Sequence, residues 1–429
     1  MMKRLRVCAL GLIVACVGGI LAAQQVTFHG YADYSNYLLT TYATQTGSKD
    51  WEQFEYGAGF GSWYGGRTEV NMFMDSQNIH FVLGIRLGND LDTWYDLYGD
   101  DVPFYQANVR INLLNNQLDI LTGKFEEQNF GYVTNDLAWG FIYAHNVADR
   151  DVGPYFTGLE IKPYMLDGFS LLVGIPIRAW STNDGWGSMP ANNYWQNLVD
   201  QFKINMRYSL PMGITLKAGY YHGLWYSASD YKGDDDVVRE AYLSAEGFNF
   251  LGSGFDLAAG YDFQYRTATE GTKHNINVSG AYRPVSSLRI ALGNRFAYAT
   301  EFHDNAKEIF LDRVVLDALY DLPLPGVQVG LRGNFTYMSD SSGQVGNVMS
   351  GDSDDLGFST NIDAAYVPAN PADGTSGMAM GGGVFPFLKK NFSNGYVQLG
   401  YQMHINYYES KTSVKAISHY VPLNIAFWF

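Results

Sequence analysis

The chain has 429 residues, with 47 Gly, 13 Pro and 16% aromatic side chains, and its formal net charge is −15. A chain built to bind nucleic acid is basic, so that class of partner is excluded. Its only cysteines are Cys8 and Cys16, which leaves the rest of the chain with neither a disulfide nor a cysteine metal site.

Lys3, Arg4 and Arg6 precede an apolar stretch from Leu5 to Leu21, and Ala22-Ala23 before Gln24 offers a small-residue cleavage site. The pattern is that of a secretory signal peptide over 1–23, leaving 24–429 as the mature chain. A retained membrane anchor is the poorer reading, because no stop-transfer charges follow. After Ala23 no run approaches the roughly 18 apolar residues of a membrane helix.

From Val26 onward the same unit repeats: about ten residues alternating apolar and polar, then a turn. In 106–113, Ala107, Val109, Ile111 and Leu113 share one face, and Gln106, Asn108, Arg110 and Asn112 the other. The same alternation marks 255–265, 327–337 and 397–407, as expected of half-buried strands. Short turns fall at 75–78, 115–116, 165–168, 211–213, 251–254, 284–287 and 323–326, all rich in Gly, Pro, Asn, Asp or Ser. They alternate with long connections. More than a dozen two-faced strands would need a second sheet to cover them in water, whereas lipid covers one face of a closed sheet unaided.

The expected architecture is therefore all-β: a transmembrane antiparallel β-barrel of about 18 strands, with 16 as the alternative. Two segments bear on the count. Over 308–322, Leu311, Val314, Val315, Ala318 and Leu319 also fit helical spacing. The stretch 369–391, with Gly381-Gly382-Gly383, is too long for an ordinary short turn and reads as a loop or as concealing a short strand. A first strand beginning near Val26 leaves no room for an N-terminal plug, and an unplugged barrel of this size holds an aqueous channel.

Parity assigns charges to the inner face when they alternate with outward apolar residues. On that rule Arg67, Arg86, Arg110, Lys162, Arg178, Lys203, Arg207 and Lys217 point inward, followed by Arg289, Arg295 and Arg332. Inward acids are Glu69, Asp119, Glu160, Glu240, Glu246, Asp256, Asp262 and Asp363. Arg67, Arg86 and Lys203 each lie eight residues from a short turn, roughly 20 Å above it for strands tilted by about 40°. Lys124 has the same spacing, but strict parity from Leu118 and Ile120 turns it outward unless a bulge intervenes. Tyr31, Tyr242 and Trp428 point inward without forming a continuous aromatic track. Further acids collect in the long connections, at Asp90 to Asp101, Asp234 to Asp236 and Asp352 to Asp355.

The last residues complete the pattern. Val421, Leu423, Ile425, Phe427 and Phe429 occupy every second position, and the chain stops on an aromatic. This ending resembles the closing strand of bacterial outer-membrane barrels. The resemblance implies that Leu423, Ile425, Phe427 and Phe429 form the signal read by the barrel-insertion machinery. With Gly123-Lys124-Phe125 and the long segment that follows, the chain is similar to Gram-negative-type porins. In them the third external loop folds into the barrel and sets acids opposite a basic wall.

Carried onto this sequence, the resemblance implies a constriction between Glu126, Glu127 and Asp136 and the bases Arg67, Arg86, Arg110, Lys124, Lys203 and Arg207. It also implies short periplasmic turns, long external loops, residence in the outer membrane, a homotrimer and contact with outer-membrane lipid. The implied function is passive diffusion of small hydrophilic solutes and ions, without a cofactor or metal. A substrate-selective channel, for sugars for example, and a surface adhesin or receptor are the alternatives. A barrel enzyme is a weaker one, since the best acid–base pair is His303-Asp304, and no nucleophile elbow is present.

Overall fold

The computed structural model describes residues 25–46, 52–56, 67–76, 78–88, 104–124, 155–176, 202–224, 238–249, 252–267, 269–303, 306–340, 378–409 and 414–429. The period-2 segments form the strands β1 (Gln25–Thr46), β2 (Glu52–Tyr56), β3 (Arg67–Asp75), β4 (Ile79–Gly88), β5 (Phe104–Leu113), β6 (Leu118–Lys124) and β7 (Tyr155–Ile161). They continue as β8 (Phe169–Pro176), β9 (Phe202–Ser209), β10 (Ile214–Leu224), β11 (Val238–Gly247), β12 (Phe255–Arg266), β13 (Gly271–Val285) and β14 (Leu288–His303). The series ends with β15 (Ala306–Asp321), β16 (Val327–Asp340), β17 (Met378–Phe392), β18 (Gly395–Gly400), β19 (Gln402–Glu409) and β20 (Val414–Trp428).

These twenty segments make eighteen courses of one antiparallel sheet. β2 and β3 both lie against β1, at residues 40–44 and 25–33, and share one course. β18 and β19 keep a single register against β17 and β20 and are separated only at Tyr401. The break has a local cause. Tyr401 stands opposite Pro386, which has no N–H to give to the ladder, although Pro386 still accepts from the Tyr401 amide at 3.0 Å. Pro422 acts similarly in β20: the register of β1 slips between Tyr37 and Leu39, where β1 passes it.

The sheet closes because β1 pairs with β3 on one side and with β20 on the other. The last residue takes part. The Gly30 amide donates to the Phe429 carbonyl at 2.8 Å, and the Phe429 amide returns a bond to Gly30 at 3.0 Å. The Phe429 ring lies in the space that a side chain at position 30 would need. Glycine thus lets an aromatic of the neighbouring strand lie flat on the sheet. Phe387 over Gly330 and Tyr242 over Gly219 repeat the device.

Short connections join the strands at one end. Leu114, Asn115 and Asn116 turn at φ 51°, 55° and 65°, the left-handed region that Asn tolerates best among side-chain-bearing residues. Gly168 turns at φ 79°, and a side chain there would strike the Ser209 carbonyl. Each of the seven expected short turns falls where one described strand gives way to the next, and an eighth falls at Ser393-Asn394.

The segment 308–322 belongs to strand β15 as far as Asp321, so the eighteen-course count holds. Its helical look has a packing cause. The inner face of β15 carries Ile309, Leu311 and Val315, all buried, and Val315 packs with Ala258, Ala281 and Ala291. An apolar patch inside the wall removes the usual alternation. The stretch 369–391, expected as a loop or a short concealed strand, instead contributes most of the fifteen-residue strand β17. Gly381 to Gly383 pair in register with Thr336, Phe335 and Asn334.

Among the described residues no helix is long and apolar enough to cross a membrane. The outer face of the sheet is apolar and uncovered: Leu257, Leu292, Leu316, Leu331, Leu388 and Leu399 are exposed, while Asp262, Gln264, Asn277 and Arg295 on the inner face are buried. That inside-out distribution suits hydrocarbon outside and polar groups within.

Deleting Phe429 removes two backbone hydrogen bonds and the ring over Gly30. The expected outcome is a lower yield of folded barrel by heat-modifiable gel migration, with unchanged unitary conductance in the molecules that do insert.

Candidate functional site

Strand stagger decides which inward side chains share a level. One hydrogen-bonded row runs from Asp75 through His80, Arg110, Leu121, Gly158 and Gly174 to Lys203. It starts at the short turn after β3 and reaches β9 seven residues before Leu210. The row climbs because tilted strands are the condition for closing a sheet into a barrel. Residues at one height are therefore not register partners. Arg67 and Arg86 hold the positions on β3 and β4 that stand about as far from their turn as Lys203 does from its own.

At this middle level, seven to nine residues from the short turns, the wall carries Lys203, Glu240, Asp262, Arg295 and Arg313, all buried. Arg295 and Arg313 are direct cross-strand neighbours. Asp262 accepts from Asn275 and Gln264, and Gln264 also donates to Glu240 at 3.2 Å. Tyr221 sits between Lys203 and Glu240 in the same row and accepts a bond from Asn205 at 3.1 Å. The wall here is thus bipolar, with cations at both ends of a run of acids, amides and phenols.

Nearer the short turns the charges are paired more tightly. Arg110 reaches Asp119 and Glu160 at 3.1 Å each, and Lys162 reaches the same two acids at 2.5 and 3.4 Å. Two cations and two carboxylates from three neighbouring strands form a square that neutralises itself. Lys217 bonds Glu246 at 3.2 Å. Asp317 bridges Arg332 at 3.2 Å and Arg289 at 3.4 Å, joining β14, β15 and β16. The Arg332 guanidinium also lies 4.9 Å from the centre of the Phe387 ring, which is stacked on Phe385 at 5.2 Å, a favourable cation–π geometry.

Most parity assignments are visible in these contacts. Lys203, Lys217, Arg295, Arg332, Asp119, Glu160, Glu240, Glu246, Asp256 and Asp262 are buried on the inner face, and Arg110, Lys162, Arg207 and Arg289 lie there partly exposed. Two site residues sit differently from the expected cluster. Arg110 stands five residues from Asn115, and its charge is matched by Asp119 and Glu160, so it belongs to the short-turn rim and not to the middle level. Lys124 pairs with Ala107 in a register that runs without a shift from Leu113 opposite Leu118. No bulge turns it, and its position counts with Leu118 and Ile120. Arg67 and Arg86 are placed by backbone register alone. Glu126, Glu127, Asp136, Arg178, Asp363 and Asp304 lie outside the described residues.

Three buried inner-face bases were not assigned from sequence: Arg266, Lys273 and Arg313. Arg266 continues the parity of Asp262 and Gln264, so extending that strand would have found it. Arg313 shares its face with Leu311 and Val315, where the parity rule fails. Of the closing-strand residues, Leu423 and Ile425 are half-buried and Phe427 is exposed on the outer face, while Trp428 shares the parity of Ala426.

An antiparallel sheet closed on itself, apolar outside and ionic within, defines the class: a transmembrane β-barrel of the outer-membrane type. Solved structures similar to the chain include OccK11 (OpdR) of Pseudomonas aeruginosa, at 11% identity over 94% of this chain and 96% of that one, TM-score 0.45. The outer membrane channel DcaP of Acinetobacter baumannii is similar at 9% identity over 95% and 98%, TM-score 0.45. A loop L8 deletion mutant of OmpT, an outer membrane protein of Vibrio cholerae, is similar at 12% identity over 95% and 100%, TM-score 0.43. No family model matches the chain, and no curated protein matches it.

Asp119 is fully buried and serves both Arg110 and Lys162. Replacing it, D119N, is expected to lower stability by about 1–3 kcal/mol, the range for a partly desolvated charge network that loses one member. Urea unfolding in lipid vesicles measures the loss. A cycle with K162M is expected to be non-additive.

Proposed function

We propose that the chain is an outer-membrane porin that passes small hydrophilic solutes and ions by diffusion. The observation supporting this most directly is the bipolar middle level of the lumen wall, where Lys203, Arg295 and Arg313 share a belt with Glu240 and Asp262. Opposed charges around an aqueous path create a transverse field that orders water and disfavours apolar solutes. They act most strongly where low-dielectric walls focus the field. No covalent step or energy source is required.

In this reading residues 1–23 are removed on export, and Phe429 with its outward neighbours is recognised during insertion. Three copies associate through their outer faces, surrounded by outer-membrane lipid. The segment after β6 folds inward, so that Glu126, Glu127 and Asp136 face Arg67, Arg86 and Lys203.

A substrate-selective channel is the second reading. The stacked Phe385 and Phe387 rings on the lumen wall, with Arg332 against them, favour it. Liposome swelling across a size series of sugars separates the two, because one saturably preferred sugar would establish selectivity.

The test of the porin reading is single-channel conductance with reversal potentials in a salt gradient. Discrete, ohmic openings are expected, and a barrel that never conducts would overturn it. Neutralising the paired arginines, R295Q with R313Q, is expected to shift the permeability ratio toward cations by about two-fold at low salt, and less as salt screens the wall.

A further inference from the structure

At the short-turn end the inner wall forms an open-sided cavity of about 830 Å³ between β5, the turn at Asn115–Gln117, the β7–β8 turn and β9. That volume lies in the range of small-molecule sites. Arg110, Glu160 and Lys162 line one side of it, and Ser170, Arg207 and Ser209 another. The first side is electrically closed, since Arg110 and Lys162 are each matched by Asp119 and Glu160.

The second side is open. Arg207 shares the inner face with Lys203 and Asn205, directly opposite Ser170 on β8 and Lys217 on β10. Its Nε is buried and has no hydrogen-bond partner. Among the inner-face bases whose side chains are described, Arg207 alone has no hydrogen bond, ion pair or ring contact. Its neighbour Lys217 is held by Glu246, and Arg289 and Arg332 share Asp317. The remaining acid on the cavity wall, Asp167, is exposed in the turn, where water screens it.

A guanidinium half withdrawn from water without a counter-charge carries a desolvation cost that a bound anion offsets. Its planar fork of donors matches the two oxygens of a carboxylate or phosphate group. We propose that this cavity is a binding site for a small oxyanion, the carboxylate or phosphate group of a solute, held by Arg207 at the short-turn mouth of the lumen. The site deepens the porin reading, in that the bound group belongs to a solute passing through the channel.

The test is isothermal titration of the folded barrel in detergent with inorganic phosphate and, separately, with succinate. Saturable binding of at least one is expected. R207Q is expected to weaken it at least about tenfold, as for loss of a bidentate charge-assisted pair. R207K keeps the charge without the fork and is expected to fall between the two. Should R207Q not migrate as a folded barrel, R207K decides alone, by binding more weakly than the unaltered chain. Equal binding by the variants and the unaltered chain, or no binding of either anion by the latter, would overturn the proposal. In planar bilayers the same anions are expected to reduce current when added on one side only, and block from both sides alike would also count against it. Absence of any channel would count against the porin reading instead, and the titration, which needs no conductance, still decides this one.

Discussion

Hydrocarbon offers a backbone no hydrogen-bond partner, and every other feature of this molecule follows from that constraint. Each amide and carbonyl within the membrane must be satisfied by the chain itself, and a sheet achieves this only when it has no edge. The pairing of β1 with both β3 and β20 removes the edge, down to the two bonds between Gly30 and Phe429. Where a proline interrupts the ladder, the structure answers locally. Pro386 breaks the β18–β19 course at Tyr401, and Pro422 is met by a bulge in β1.

Closure forces tilt, and tilt forces stagger. The climbing row from Asp75 to Lys203 carries this geometry into the lumen, where it sets two electrostatic levels. The lower one is made of paired groups, the self-neutralising Arg110–Lys162–Asp119–Glu160 square and the Asp317 bridge, where two arginines share one acid. Their pairs tie neighbouring strands, and the square leaves little net field. The middle level spreads cations and acids around the wall, the arrangement suited to selecting solutes by charge. Arg207 stands apart from both, a base beside a cavity with no acid assigned to it.

Much of this was legible beforehand because strand periodicity is a local property. Glu240, Asp262 and Arg295 could be placed inward from their immediate neighbours, and the short turns announced themselves by Gly, Pro and Asn. Parity failed where the wall departs from the polar-in rule. β15 buries Ile309, Leu311 and, in a cluster with small alanines, Val315, which disguised a strand as a helix and hid Arg313. The glycine run of β17 looked like a loop because glycine has no side chain with which to signal a face, yet its backbone pairs as well as any.

Composition and alternation alone therefore established an antiparallel barrel with a polar interior, its turns, its closing strand and the sign of most inward charges. They did so because burial on one face demands a period of two, whatever lies across the strand. Only the closed structure decided which charges meet. Pairing depends on register between segments as far apart as Arg110 and Glu160, and height depends on the stagger accumulated around eighteen courses. Neither quantity is written in any one strand. The same long-range geometry moved Arg110 from an expected constriction to a neutralised rim, and it left Arg207 facing a cavity with its charge unmatched.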